Sequence, residues 1–306
     1  MSCNAVKENE IYRLRNTISV SPVEPDTKIK VMALTPIVTD WVNQVTGDKI
    51  VVSSIIPRHV DPHSYQPGAK DIARITESDL IFLVGLGYED RWLSELLANH
   101  TDVKQIPLGE LISPLKATHL KDESHGHNNL VYDPHFWFDP KRVASAVNII
   151  ATELSLYDPS SEVYYRDNAS KYTRKLENLD IGIENLLTTI PDNRRVFMTS
   201  HNSLGYFNVR YSIKAMHSVI PNVSSETGLT PEDLVGAVKF IKEHDVKAIF
   251  LEQTHADKVV KAVADETGIR VVAGLMVETL TDDGQTYIDF MNNNINIIVS
   301  NLESGG

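Results

Sequence analysis

Two short segments, Asp61-Pro62-His63-Ser64-Tyr65-Gln66-Pro67 and Asp133-Pro134-His135-Phe136-Trp137-Phe138-Asp139-Pro140, each put a histidine directly after Asp-Pro and follow it with an aromatic residue and a second proline. Proline fixes its own φ and drives the residue before it into extended geometry. His63 and His135 are therefore expected on stiff loops rather than in helices. An imidazole held in place on such a loop suits a transition-metal ion, whose ligands must be positioned before it arrives. A third histidine, His201 in Ser200-His201-Asn202, comes straight after the strand-like run Arg195–Thr199. A fourth donor would come from the last strand-to-helix connection, where Glu278, Asp282 and Asp283 are the candidates. Three imidazoles and one carboxylate suit zinc, and with both carboxylate oxygens engaged they tolerate manganese or iron(II).

A single histidine is more often a surface or core residue than a ligand, and His59, His100, His217, His244 and His255 keep that reading. His201 taken alone could instead be a general base beside Ser200 or Ser203. No Gly-x-Ser-x-Gly pattern surrounds either serine, which weakens that reading. Trp137 and Phe138 are expected to pack beneath the second histidine loop.

The elements that would carry these residues alternate between strand and helix. Strand-like runs at Ile29–Leu34, Ile50–Ile56 and Leu80–Val84 are separated by helical patterns from Pro36 to about Val45 and from Ala69 to Ser78, and Tyr88–Ala98 follows. A second alternation has strands at 195–199, 246–251 and 269–273, with helices at 231–244, 256–267 and 287–301. This predicts an α/β protein with two lobes, each a parallel sheet flanked by helices, with ligands beyond the carboxyl ends of the strands. Between the two patterns, Val163, Tyr164, Tyr172, Leu176, Leu179, Ile183 and Leu186 recur at helical spacing without an intervening proline. One long rigid helix joining the lobes is expected there. The predicted division is a flexible arm over 1–27, a first lobe over 28–158, a linking helix over 159–190 and a second lobe over 191–306. Thr230-Pro231-Glu232-Asp233 is a helix start, with a capping threonine, proline at the first position and acids in the first turn. Residues 115–129 hold His119, His125 and His127 among charged residues and read as an exposed loop.

The 306 residues are 42% hydrophobic and 23% charged, which is enough apolar material for real cores. The formal net charge of −12 argues against a nucleic-acid partner and is mildly favourable to cations. The one cysteine, Cys3, excludes an internal disulfide and a cysteine-based zinc site. No apolar run approaches the ~18–20 residues of a membrane-spanning helix. The polar segment 1–28 reads as a tether, and Cys3 is either a lipid-modified residue or a surface cysteine.

At this point the sequence resembles the metal-binding receptors of bacterial ABC importers for zinc and manganese, the class with a rigid linking helix (periplasmic solute-binding protein family 9). The likeness runs from about Lys28 onward. It rests on Asp61–Pro67 with Asp71-Ile72-Ala73 and Asp79-Leu80-Ile81, on Gly85-Leu86-Gly87-Tyr88-Glu89 with Trp92-Leu93, and on Asp133–Pro140. It extends to Ser200-His201-Asn202 with Tyr206-Phe207, and to Glu278-Thr279-Leu280 ahead of Thr286-Tyr287. The last site departs from the family pattern, which usually has Asp-Ser-Leu. The resemblance implies His63, His135, His201 and Glu278 as metal ligands, with Asp282 or Asp283 as alternatives to Glu278.

It also implies no enzymatic activity, a monomer, and delivery of the ion to an ABC permease and, through it, its ATPase. The location implied is the periplasm or a lipid anchor on the outer face of the cytoplasmic membrane. Zinc is expected over manganese or iron(II), because His201 stands where manganese-type members look to have a glutamate. His119, His125 and His127 resemble the histidine-rich loop of zinc receptors and form a possible auxiliary metal loop. The competing expectations are a zinc hydrolase with three histidine ligands and Glu278 as general base, and a surface adhesin with a structural metal. Reference imidazole values predict that affinity falls below roughly pH 6.

Overall fold

The computed structural model describes residues 29–62, 65–89, 91–100, 102–117, 132–213, 215–220, 230–252 and 257–303. His63, His119, His125, His127 and Cys3 lie outside them, as does the arm over 1–27.

The first half builds a four-stranded parallel sheet. Strand β1 (Val31–Ala33) is followed by helix α1 (Pro36–Thr46), β2 (Ser53–Ser54), α2 (Ala69–Thr76), β3 (Leu80–Leu83), α3 (Arg91–Ala98), β4 (Lys104–Pro107) and the short α4 (Leu108–Leu111). The strand order is β2-β1-β3-β4. All four residues of β3 are buried, as expected for an inner strand covered on both faces. Helix α1 forms where Thr35 accepts a bond from the Val38 N–H and Pro36 supplies the first helical φ. Its buried face is Ile37, Val38, Trp41, Val42 and Val45, one stripe at helical spacing.

Two expectations change here. The strand expected over 50–56 shortens to Ser53–Ser54, because Val51 at the sheet's edge is 89% exposed; short edge strands resist unwanted pairing. The helix expected from Tyr88 begins at Arg91. Gly85, Leu86 and Gly87 all have positive φ (80°, 61° and 80°), so the chain leaves β3 through a left-handed turn and Tyr88 sits on a loop. Glycine is required at 85 for a second reason: a Cβ there would lie 3.0 Å from Pro107 Cβ.

Helix α5 (Pro140–Tyr157) and the long α6 (Glu162–Thr188) follow. At 27 residues α6 is about 40 Å long. Its buried stripe is Tyr165, Ala169, Tyr172, Leu176, Leu179, Ile183 and Leu187. Val163, expected on that stripe, is 82% exposed, and Tyr165 and Leu187 take the positions read as Tyr164 and Leu186.

The second sheet comprises β5 (Val196–His201), β6 (Ala215–Ile220), β7 (Ile249–Glu252) and β8 (Val271–Leu275) in the order β6-β5-β7-β8, all parallel. Its helices are α7 (Gly205–Tyr211), α8 (Pro231–His244), α9 (Asp257–Thr267) and α10 (Tyr287–Glu303). Helix α8 starts with the expected cap: Thr230 and Asp233 bond reciprocally.

The cores do not divide as the two sheets do. One side of the second sheet closes a small cluster of Met198, Val219, Ala237, Ile241, Val246, Ile249, Val260 and Val263 under α8 and α9. A single much larger cluster holds Trp41 and Phe136 from the first half, Leu176 and Ile183 from the long helix, and Phe197, Phe250, Leu275 and Phe290 from the second.

Candidate metal centre

Both sheets have the same strand order, with the chain's direction of travel reversing beside the first strand of each. In open α/β sheets, ligands bind at that switch point beyond the carboxyl ends of the strands. In the second sheet the switch lies between β5 and β7, and the final residues of those strands are His201 and Glu252. In the first sheet it lies between β1 and β3, and the turn after β3 delivers Tyr88.

His135 is buried at the head of a 3₁₀ turn, Phe136–Phe138, between Asp133-Pro134 and Asp139-Pro140. Asp133 Oδ1 accepts from the His135 backbone N–H (2.9 Å) and lies 2.7 Å from ring Nδ1. One carboxylate oxygen thus fixes both the loop and the ring. Tyr206 O–H donates to the Asp133 carbonyl (2.8 Å), and Trp137 Nε1 donates to the Val277 carbonyl (2.9 Å).

His201 sits against a different acid. Its backbone N–H donates to Glu252 Oε1 (3.2 Å), and its Nδ1 lies 2.7 Å from Glu252 Oε2. A ring that donates Nδ1–H to a carboxylate presents its Nε2 lone pair to a metal, and such partners orient the ring and raise its basicity.

Glu278 follows β8. The residue two before it, Met276, is clamped by Asn294 of α10 through its N–H (2.9 Å) and its carbonyl (2.7 Å). Glu278 Oε1 lies 3.1 Å from Nε2 of both histidines, and the two Nε2 atoms are 3.4 Å apart. Glu278 Oε2 accepts a bond from Tyr88 O–H at 2.8 Å. His135, His201 and Glu278 are the group of ligand atoms within 4.8 Å of one another among the described residues, and all three are buried. Four-coordinate zinc with bonds of 2.0–2.1 Å places its donors about 3.3 Å apart, so these side chains fit such an ion. Asp282 and Asp283 are exposed on the following turn, where Arg58 Nη1 donates to the Asp282 carbonyl (2.8 Å).

The electrostatics follow from burial. Asp133, Glu252 and Glu278 are carboxylates within reach of two imidazoles, all shielded from water. Unbalanced charge in such a place is costly, so protons or a cation must compensate it. Burial alone would pull the His135 pKa down, but Glu278 and Asp133 outweigh it and push it from 6.5 up to about 9. For His201, burial acts the same way and is overcome by Glu252 and Glu278, which raise the pKa to about 10. Burial, then the charge of Glu278, pushes the Tyr88 phenol well above its ordinary value and keeps it a donor.

Sequence reasoning missed Glu252, Tyr88 and the role of Asp133. Asp133 stands two residues before His135, where the sequence pattern marks only a stiff loop. Glu252 and Tyr88 had a positional signal, since Glu252 ends β7 and Tyr88 lies in the turn after β3, both at switch points.

The sequence matches the family described as "ZnuA: Zinc-uptake complex component A periplasmic" over residues 31–301. It is 29% identical to a manganese-binding lipoprotein, MntA, of Halalkalibacterium halodurans, over 90% of this chain and 88% of that one. A mutant, Mn-bound periplasmic metal-binding protein from Candidatus Liberibacter asiaticus superposes with a TM-score of 0.78 at 25% identity, covering 90% of this chain and all of the other. The periplasmic zinc-binding protein TroA from Treponema pallidum shares the fold, with a TM-score of 0.81 at 24% identity over 91% of this chain and 100% of its own. These relatives are periplasmic or lipid-anchored receptors, and this chain is a receptor of the same kind, not an enzyme. Its two parallel sheets and long helix are the two-lobed fold of that class. The chain belongs to the periplasmic component A family of zinc-uptake complexes, the metal-binding substrate receptors of ABC importers.

Proposed function

We propose that this receptor captures one divalent transition-metal ion on His135, His201 and Glu278, with His63 as fourth donor, and delivers it to an ABC permease driven by its ATPase. Zinc is the favoured cargo, and manganese or iron(II) the alternative. The observation that carries this reading is the convergence of two Nε2 atoms and one carboxylate oxygen at 3.1–3.4 Å. Imidazole-rich shells suit zinc, whereas manganese prefers more oxygen donors. Because intrinsic affinity runs higher for zinc at nearly any such site, the deciding experiment is elemental analysis of receptor purified from its native host. Manganese in place of zinc would overturn the zinc assignment.

The working divisions of the chain are the proposed lobes over 28–158 and 191–306 with the helix over 159–190 between them, and the unit is a monomer. An auxiliary role for His119, His125 and His127 is part of the same proposal. Among the described residues, no helix is long and apolar enough to cross a membrane.

The raised imidazoles change the expected pH dependence. Both imidazole pKa values are pushed up by the neighbouring carboxylates, so in the metal-free protein the pair holds protons more tightly than free imidazole does and an incoming ion must displace them. Zinc uptake at pH 7 is therefore expected to release protons from this pair, and the fall in affinity should begin below about pH 10 rather than near 6. Calorimetry in buffers of different ionisation enthalpy measures the release, and none would contradict it. Without metal, the two charged imidazoles contribute stability that is complete below about pH 6.5 and is lost as pH rises through about 9 to 10. The metal-free melting temperature should fall across that window.

Gly205 offers a further test. A Cβ there would lie 2.4 Å from Asp133 Oδ2. Gly205→Ala is expected to displace Asp133, release the His135 ring and weaken zinc binding about 10- to 100-fold, as loss of a ligand's carboxylate partner does. An unchanged dissociation constant would show that Asp133 does not hold His135 in a way that matters.

A further inference from the structure

Glu278 presents its two oxygens to different places. Oε1 faces the two Nε2 atoms, each at 3.1 Å, while Oε2 accepts the Tyr88 hydroxyl at 2.8 Å. We propose that Tyr88 is a selectivity-determining residue, holding Glu278 as a one-oxygen ligand and thereby favouring a small four-coordinate cargo such as zinc over manganese. This rests on the reading of the cluster as a metal site.

For both carboxylate oxygens to face one ion, the group must turn, and that carries Oε2 away from the phenol. Tyr88 does not follow easily. It is buried, edge-on to Trp137 at 5.6 Å and 82° and to His135 at 6.4 Å and 85°. Its backbone leaves the left-handed turn of Gly85, Leu86 and Gly87. Trp137 is itself fixed by its bond to the Val277 carbonyl, next to Glu278. Tyr88 and Glu278 follow strands of opposite sheets, so the bond also sets how far the carboxylate extends toward the first sheet. Four single donors satisfy zinc, while manganese gains from a further oxygen. The tyrosine acts without touching the ion, by deciding how many oxygens Glu278 can offer.

The experiment compares wild type, Tyr88→Phe and Glu278→Asp, each stripped with chelator and reloaded with zinc or manganese alone. Dissociation constants come from competition with a chromophoric chelator, and coordination number from X-ray absorption at the metal edge. Tyr88→Phe is expected to lower the ratio of zinc to manganese affinity about tenfold, since a hydrogen bond to a charged group is worth roughly that much. It should also add one oxygen to the manganese shell. Glu278→Asp shortens the side chain away from the phenol without altering the packing of Tyr88, and its ratio should move the same way. Equal weakening of both metals in Tyr88→Phe, or an unchanged ratio in Glu278→Asp, would show that the phenol only packs, and the proposal falls. A wild-type protein that binds neither metal tightly would instead remove the metal reading itself.

Discussion

His201→Ala is expected to weaken zinc binding at pH 7 by a hundredfold or more. Zinc sites with four protein ligands bind with ~10–16 kcal/mol, so one ligand carries roughly 3 kcal/mol, or about two decades of affinity. The loss is not only of a donor atom. Glu252 is 2% exposed; its Oε1 accepts the His201 backbone N–H and its Oε2 lies 2.7 Å from the ring Nδ1. With the ring gone, one oxygen of a buried acid loses its cationic partner, which is destabilising on its own account. The variant should therefore melt lower than wild type even without metal. His135→Ala should behave alike, with Asp133 as the stranded acid. His244→Ala is the control: its ring is exposed and packs at a tilt against Phe240 at 4.4 Å, far along the chain from the cluster. Titration calorimetry and thermal melts on the three variants decide the matter. Undiminished zinc affinity in His201→Ala would take that residue out of the site.

Trp41→Ala should produce the largest loss of stability. Trp41 is fully buried, packed at 5.6 Å against Phe136 and edge-on at 5.5 Å against Tyr287. Truncating a buried tryptophan costs about 3–5 kcal/mol through lost burial and the cavity left behind, which for a protein of this size lowers the melting temperature by roughly 10 °C. Its neighbours make the effect reach further. Phe136 directly follows His135, and Tyr287 opens α10, the helix whose Asn294 clamps the residues before Glu278. Zinc at a hundred times its dissociation constant adds about 2.7 kcal/mol, so it should restore only part of the lost melting temperature. Full restoration, or a fall of only a degree or two, would mean that the surroundings close the gap.

Much of this architecture can be read from residues alone, because it rests on local signals. The buried run Leu80–Leu83, the Thr35-Pro36 and Thr230-Pro231 helix starts and the uninterrupted apolar spacing of the long helix each lie within one continuous stretch of chain. The strands β4 and β6 carry no such statement. Lys104-Gln105 opens the first and the second begins Ala215-Met216-His217, and both are edge strands whose pairing is decided by the neighbour rather than by their own pattern. His135 was visible because Asp-Pro-His is a stiff local motif, and His201 because it directly follows a strand-like run. Glu252 was not, since it is one acid among 41 acidic residues and only the parallel pairing of β5 and β7 places it beside His201. Tyr88 was hidden by its apparent membership of a helix, which the three left-handed residues before it prevent.

The shared core has a mechanical consequence. Because aromatic and aliphatic side chains from both sheets, the long helix and α10 form one continuous apolar body, swinging the halves apart like a clamshell would wet that whole seam at about 25 cal/mol per Å² exposed. The small cluster under α8 and α9 is outside the seam, so that outer layer can shift or loosen at far lower expense. An ion leaving this receptor would then escape through a local yielding of strand ends and loops. In hydrogen exchange, amides of α8 and α9 should trade with solvent well before those of α1, α6 and α10.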